Sequence, residues 1–251
     1  YTCVSNISVL SQLKAIPIIV EVEKDSFGIE VEGLERTIKK YKPKVLQIVH
    51  VYGYPAKNTL KIIKLCKKYN VKVLEDSSES LGAKIDGKKV GNFGDVSIFS
   101  IRSEKMIGVG EGGVVTTSNS KYYEESMKLA SRSAPFRSSN DNYWDKYYYD
   151  GEGYNYRLPH LLGALALAQM ERFENEILPK KIEVGEIFRD IFCKNDKYGL
   201  QKIVHGSKPC YWLNSIKLNF LSKEEVRSLG LHLFSKGIEV RSGFWPLSDM
   251  I

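Results

Sequence analysis

The chain has no stretch approaching the roughly 18 consecutive apolar residues that a membrane-crossing helix needs, and no charged-then-apolar leader opens it. Membrane insertion is therefore not expected. Cysteine is scarce: Cys3, Cys66, Cys193 and Cys210 lie far apart without CxxC spacing, which argues against a disulfide framework and against a zinc site. That usage fits a reducing compartment, so a cytoplasmic location is the expectation. His160, His205 and His232 have no Cys, Asp or Glu partner at ligand spacing, and no metal site is assigned. A Gly-x-Gly-x-x-Gly turn after an early strand is also missing, which counts against a nicotinamide-binding domain. Internal repeats and low-complexity tracts are absent.

Nor is there a basic stripe. The formal net charge of +7 comes from 37 Lys and Arg set against 30 Asp and Glu, mixed along the sequence. It reads as a lysine-rich solvated surface, with no nucleic acid as partner; attraction to a nucleotide diphosphate is the alternative. With 251 residues, 43% hydrophobic and 27% charged, the composition is that of a soluble globular protein with a large core. Both ends, Tyr1-Thr2-Cys3 and Met250-Ile251, read as cut, so the chain is expected to be the central part of a longer protein.

Apolar runs and helical spacings alternate. Strands are expected at 16–22, 44–52, 71–74, 95–99 and 114–117, with helices at 31–41, 60–69 and 121–132. This order predicts an α/β fold with a mostly parallel central sheet, whose strand ends line one crevice. Glu75-Asp76, Ser100 and the glycines from Gly108 to Gly113 fall at those ends. Segment 133–153, rich in Ser, Asn, Asp and Tyr, reads as a long functional loop. Helices over 158–173 and 174–192, the second bent at Pro179, lead to a strand, helix, strand order at 211–218, 222–236 and 237–241. Residues 1–182 are thus expected to form a large domain, and 183–251 part of a smaller α/β domain.

Lys105 follows a strand end and precedes a glycine-rich turn. A lysine beside a crevice forms a Schiff base when its amine is neutral, and Ser100 offers a hydroxyl to a phosphate. Asp76 closes the preceding strand, where a carboxylate can pair with a pyridinium nitrogen. On the residues alone, Asp76-Ser77-Ser78-Glu79 reads more readily as a helix capping box. His50 reads as a satisfied buried histidine. The aromatic run from Tyr143 to Tyr149, including Trp144, reads as a sugar- or nucleotide-contacting loop rather than a nucleic-acid stacking strip.

Taken in order, Val49-His50-Val51-Tyr52-Gly53, Glu75-Asp76-Ser77-Ser78-Glu79-Ser80-Leu81-Gly82, Gly91-Asn92-Phe93-Gly94-Asp95, Ser100 with Lys105, Gly110-Glu111-Gly112-Gly113, and Gly153-Tyr154-Asn155-Tyr156-Arg157-Leu158-Pro159 resemble the DegT/DnrJ/StrS family of sugar aminotransferases. These are fold-type I enzymes that use pyridoxal 5'-phosphate. The resemblance implies that Lys105 is the Schiff-base lysine and Asp76 the partner of the ring nitrogen. It further implies that Glu79 lies beside the phenolic oxygen and that Ser100 is a phosphate ligand. Asn155 would reach across a homodimer interface to the partner's cofactor, while Arg157 beside it would be structural. Glu-Ser-Leu-Gly after the aspartate and Asn-Tyr-Arg-Leu-Pro look most like the perosamine-synthase branch. That branch moves an amino group from glutamate to the 4-keto group of a nucleotide-linked 4-keto-6-deoxyhexose. A related branch dehydrates at C3 and carries His where this chain has Lys105, so amination is favoured. Amination at C3, or a non-catalytic cofactor-binding regulator, are the alternatives. Arg241 and Trp245 resemble a segment that shapes the sugar pocket.

Three features depart from the family pattern. Cys3 stands where relatives often stack an aromatic residue on the cofactor, and Tyr149 stands near the place of a substrate-loop histidine. Arg102 to Glu104 is more charged than usual. The Gly-Thr or Gly-Ser phosphate segment of relatives would precede Tyr1.

Overall fold

A computed structural model describes residues 1–134, 149 and 151–250. The aromatic run expected at 143–149 falls, except for Tyr149, outside them, as does most of the loop expected at 133–153. In chain order the first half holds α1 (Ser5–Gln12), α2 (Val31–Tyr41), β1 (Val45–Val49), α3 (Thr59–Lys68), β2 (Lys72–Asp76), β3 (Lys84–Ile85), β4 (Lys88–Lys89), β5 (Val96–Ser100), β6 (Gly113–Thr116) and α4 (Ser120–Ala130). The second half holds α5 (His160–Glu171), a π turn at Phe173–Ile177, α6 (Leu178–Phe192), β7 (Tyr198–Leu200), β8 (Ser207–Lys208), β9 (Ile216–Leu218) and α7 (Lys223–Ser235). Among the described residues no helix is long and apolar enough to cross a membrane.

The central sheet has the order β1-β2-β5-β6. Its first three strands are parallel, with Val49 opposite Asp76 and Asp76 opposite Ile98; β6 is antiparallel to β5, with Gly113 opposite Ser100. The expected α/β architecture with a mostly parallel sheet is therefore present, and Asp76 lies at the carboxyl end of its middle strand.

Helical spacing explains how the sheet is covered. Leu34 and Ile38 of α2, and Ile62 and Cys66 of α3, are four residues apart and share a face. They bury against Leu46, Ile48 and Val73 in one core. Leu34, Ile38, Ile48 and Ile62 are each 2% exposed or less, and each such burial contributes about 2 kcal/mol. A second core lies around the strand ends and joins Tyr52, Ile101, Ile107, Phe173 and Leu178 to Cys210, Tyr211 and Trp212.

Several local expectations are corrected. Residues 16–22 form no strand: a single bridge joins Val22 to Ile29, and Ile16 is 89% exposed. The run has β-branched residues but, among the described residues, no neighbouring strand to complete its hydrogen bonds. Residues 237–241 are likewise irregular, and of 211–218 only β9 pairs, antiparallel to β7. The helical run does break beside Pro179, as expected: the π turn ends at Ile177, Leu178 N donates to Phe173 O five residues back, and Pro179 lies in the first turn of α6. No helix begins at Asp76, so the capping-box reading fails. Asp76 Oδ1 instead accepts from Ser78 N at 3.0 Å, in a turn leading to β3.

Candidate active site

Three polar residues meet beyond the carboxyl ends of β1, β2 and β5. Asp76 ends β2 and is 5% exposed. Its Oδ2 receives Gln47 Nε2 at 3.5 Å; that amide also donates to Asn6 Oδ1 at 2.8 Å, and Asn6 Nδ2 donates to Thr2 Oγ1 at 2.7 Å. Thus a polar chain from α1 and β1 reaches the carboxylate. Glu79, 6% exposed, accepts from Tyr52 N at 2.8 Å, and Tyr52 takes a left-handed conformation with φ 59°.

Lys105 sits in a loop that folds back on the strand end. Ser103 N donates to Gly110 O at 2.9 Å, Lys105 N to Arg102 O at 2.9 Å and Val109 N to Ile101 O at 3.0 Å. The Lys105 side chain is 12% exposed, and its Nζ lies 3.7 Å from Glu79 Oε1. On its other side is the Trp212 ring, 3.7 Å from Nζ to centroid.

Burial pushes the Glu79 carboxyl up to about 7, and the negative charge of Asp76 adds to this. The Tyr52 N–H and the Lys105 ammonium pull the other way without cancelling it. Lysine, glutamate and aspartate therefore form one electrostatic unit, turned away from bulk water.

Behind this unit, Glu75 and His50 are both fully buried. His50 Nδ1 accepts from Ala56 N at 2.9 Å, which leaves Nε2 to donate to Glu75 Oε1 at 3.0 Å. The same carboxylate accepts from Gly91 N at 2.6 Å, Phe93 N at 2.8 Å and Gly94 N at 3.0 Å. His50 is the satisfied buried histidine read from the sequence. Together the pair fixes the 91–94 turn against β2.

Ser100 ends β5, half-buried, with its Oγ accepting from Arg102 N at 3.3 Å. Asn155 lies apart on an exposed bridge to Ser131, where its Oδ1 accepts from Arg157 Nε at 3.4 Å. The structure brings Lys105, Glu79 and Asp76 together, and Ser100 stands at the end of the adjoining strand. Asn155 is not part of that cluster. Sequence reasoning missed Trp212, Gln47 and Asn6. Gln47 sits in an apolar strand run where its polarity was the only signal, and Trp212 lies 108 residues from Glu104, the neighbour of Lys105 that it bonds.

Pyridoxal phosphate is the cofactor these residues suggest, and the donor set fits it: a buried carboxylate at a strand end, a shielded amine and a hydroxyl on the next strand. Among the described residues the buried Ser77 and Ser80 hydroxyls beside Asp76 and Glu79 have no hydrogen-bond partner, which is capacity a polar group could use.

A mostly parallel sheet with an amine and two carboxylates gathered at its carboxyl ends defines an α/β protein with a strand-end ligand site. The chain belongs to the DegT/DnrJ/EryC1/StrS aminotransferase family, whose model matches residues 1–250. It is 34% identical over 252 aligned residues to the GDP-perosamine synthase of Vibrio cholerae, covering 98% of this chain and 64% of that protein. It is 32% identical to the GDP-perosamine synthase of Escherichia coli O157:H7, covering 99% of this chain and 65% of that protein. Among solved structures, Helicobacter pylori PseC, an aminotransferase involved in the biosynthesis of pseudoaminic acid, superposes with a TM-score of 0.85 at 25% identity, over 98% of this chain and 64% of that one. The chain thus spans just under two thirds of the length of these relatives.

Proposed function

We propose that the full-length protein is a pyridoxal-phosphate-dependent aminotransferase that moves an amino group from glutamate to a nucleotide-linked 4-keto-6-deoxyhexose. The observation that carries this reading is the shielded cluster of Lys105, Glu79 and Asp76 at the carboxyl ends of parallel strands. Similarity to two GDP-perosamine synthases supports the substrate class.

The cofactor would supply the aldehyde and the electron sink. Lys105 would provide the amine that bonds the cofactor and later carries the proton between carbon atoms. Asp76, oriented by Ser78 N–H and Gln47, would keep the ring nitrogen protonated. Glu79, held by Tyr52 N–H, would stand beside the lysine and the ring. Ser100 would bind phosphate, and Asn155 would do so in the partner's site. That last role requires a homodimer. Support comes from α5, where Leu161 and Leu165, four residues apart on one face, are 73% and 48% exposed; a second copy would cover such a face. In this reading residues 1–182 bind the cofactor, 183–251 belong to a smaller domain, and the enzyme works in the cytoplasm.

The test is product analysis. Full-length protein, pyridoxal phosphate, glutamate and the GDP- or dTDP-linked 4-keto-6-deoxyhexose should give a sugar nucleotide whose new amine lies at C4 by NMR. An amine at C3, a dehydrated sugar without nitrogen, or unchanged substrate contradicts the proposal.

A further inference from the structure

Lys105 is held by a residue outside the motifs that surround it in sequence. Its Nζ lies over the Trp212 ring at 3.7 Å from the centroid, the geometry in which an ammonium is attracted by an indole face, most strongly when water is excluded. The second partner, Glu79 Oε1, is also 3.7 Å away.

Trp212 has little freedom of its own. Its indole N–H donates to Glu104 O at 2.7 Å, so one side chain grips both the amine and the backbone of the lysine loop. The residues beside it are pinned to the turn that follows β1: Cys210 N donates to Gly53 O at 2.9 Å and Leu213 N to Tyr52 O at 3.3 Å. This close approach requires glycine at 53, which has φ +91° and where a Cβ would fall 2.5 Å from Trp212 N. The segment therefore contacts Tyr52, whose N–H holds the Glu79 carboxylate, and Cys210 Sγ lies 3.6 Å from Glu79 O.

We infer that Trp212 is a positioning residue whose ring face stations the Lys105 amine whenever that amine is not bonded to the cofactor. The inference rests on the reading of Lys105 as the cofactor lysine. A released lysine side chain has many rotamers. An aromatic face on one side and a carboxylate on the other keep it at the place where it must next react.

The experiment uses full-length protein freed of cofactor. On adding pyridoxal phosphate, the visible band of lysine-bound cofactor is expected to grow about tenfold more slowly in Trp212→Leu than in the parent. Trp212→Phe, which keeps a ring face, should recover to within about threefold. Independently of loading, Lys105→Met should change the tryptophan emission of the cofactor-free parent, by removing the ammonium from the ring, and leave that of Trp212→Phe unchanged. Parent-like loading by Trp212→Leu, equally slow loading by Leu and Phe, or the same emission change in both backgrounds overturns the inference. The emission pair decides the matter if Trp212→Leu fails to fold. A visible band surviving in Lys105→Ala would instead overturn the reading of Lys105.

Discussion

Glu75 and Glu79, four residues apart and both buried, are driven in opposite directions by their surroundings. Burial alone would raise the Glu75 carboxyl, but the bonds from His50, Gly91 N and Phe93 N outweigh it and hold the group at about 2. Glu79 has one backbone donor and an ammonium at 3.7 Å, and burial wins. A folded-state value of about 7, above the ordinary 4.5, means that the folded protein binds this proton more tightly than the unfolded chain. The resulting stabilisation is complete below pH 4.5 and is lost as pH rises through about 7. In cofactor-free full-length protein, Glu79→Gln should therefore gain on the parent by about 3 kcal/mol between pH 4.5 and about 8, measured by denaturant unfolding. A gap that stays constant, or moves in the parent's favour, contradicts this assignment. Glu75 titrates below that window and does not confuse the comparison. Lys105 and Asp76 were legible as candidates through the order of the motifs around them, since Asp76 taken alone reads more readily as a helix cap. Trp212 and Gln47 were not, because their contacts are made by folding and leave no local pattern.

Elements were legible to the extent that their own residues decide them. Leu34 and Ile38 define one face, and α2 spans 31–41 as the spacing predicts. Residues 16–22 and 237–241 carry strand composition, but a strand exists only with a neighbour, and sequence pattern does not supply one. The antiparallel placement of β6 was equally invisible, since alternation says nothing of direction. α6 runs unbroken through 182 and 183 and packs on Tyr211 at Gly185, where a Cβ would lie 2.2 Å from the ring. Since Tyr211 adjoins Trp212 and is itself only 4% exposed, Gly185→Ala should cost about 1–3 kcal/mol. An unchanged denaturation midpoint would show that the helix and the 210–213 segment are not locked together.

At the scale of the molecule, the sheet supplies a crevice, and two layers of core residues hold its rim. One layer, Leu34 to Val73, fixes the strands; the other, Tyr52 to Trp212, ties the later part of the chain to the lysine loop. Composition excluded classes of protein, while ordered motifs were needed to point to one. The most direct test of the whole account is the ultraviolet-visible spectrum of full-length protein loaded with pyridoxal phosphate, before and after glutamate, in the parent and in Lys105→Ala. The parent should show a visible band that glutamate discharges, and Lys105→Ala should lack it. A band of equal strength in Lys105→Ala, or a parent band that glutamate leaves untouched, would contradict the account.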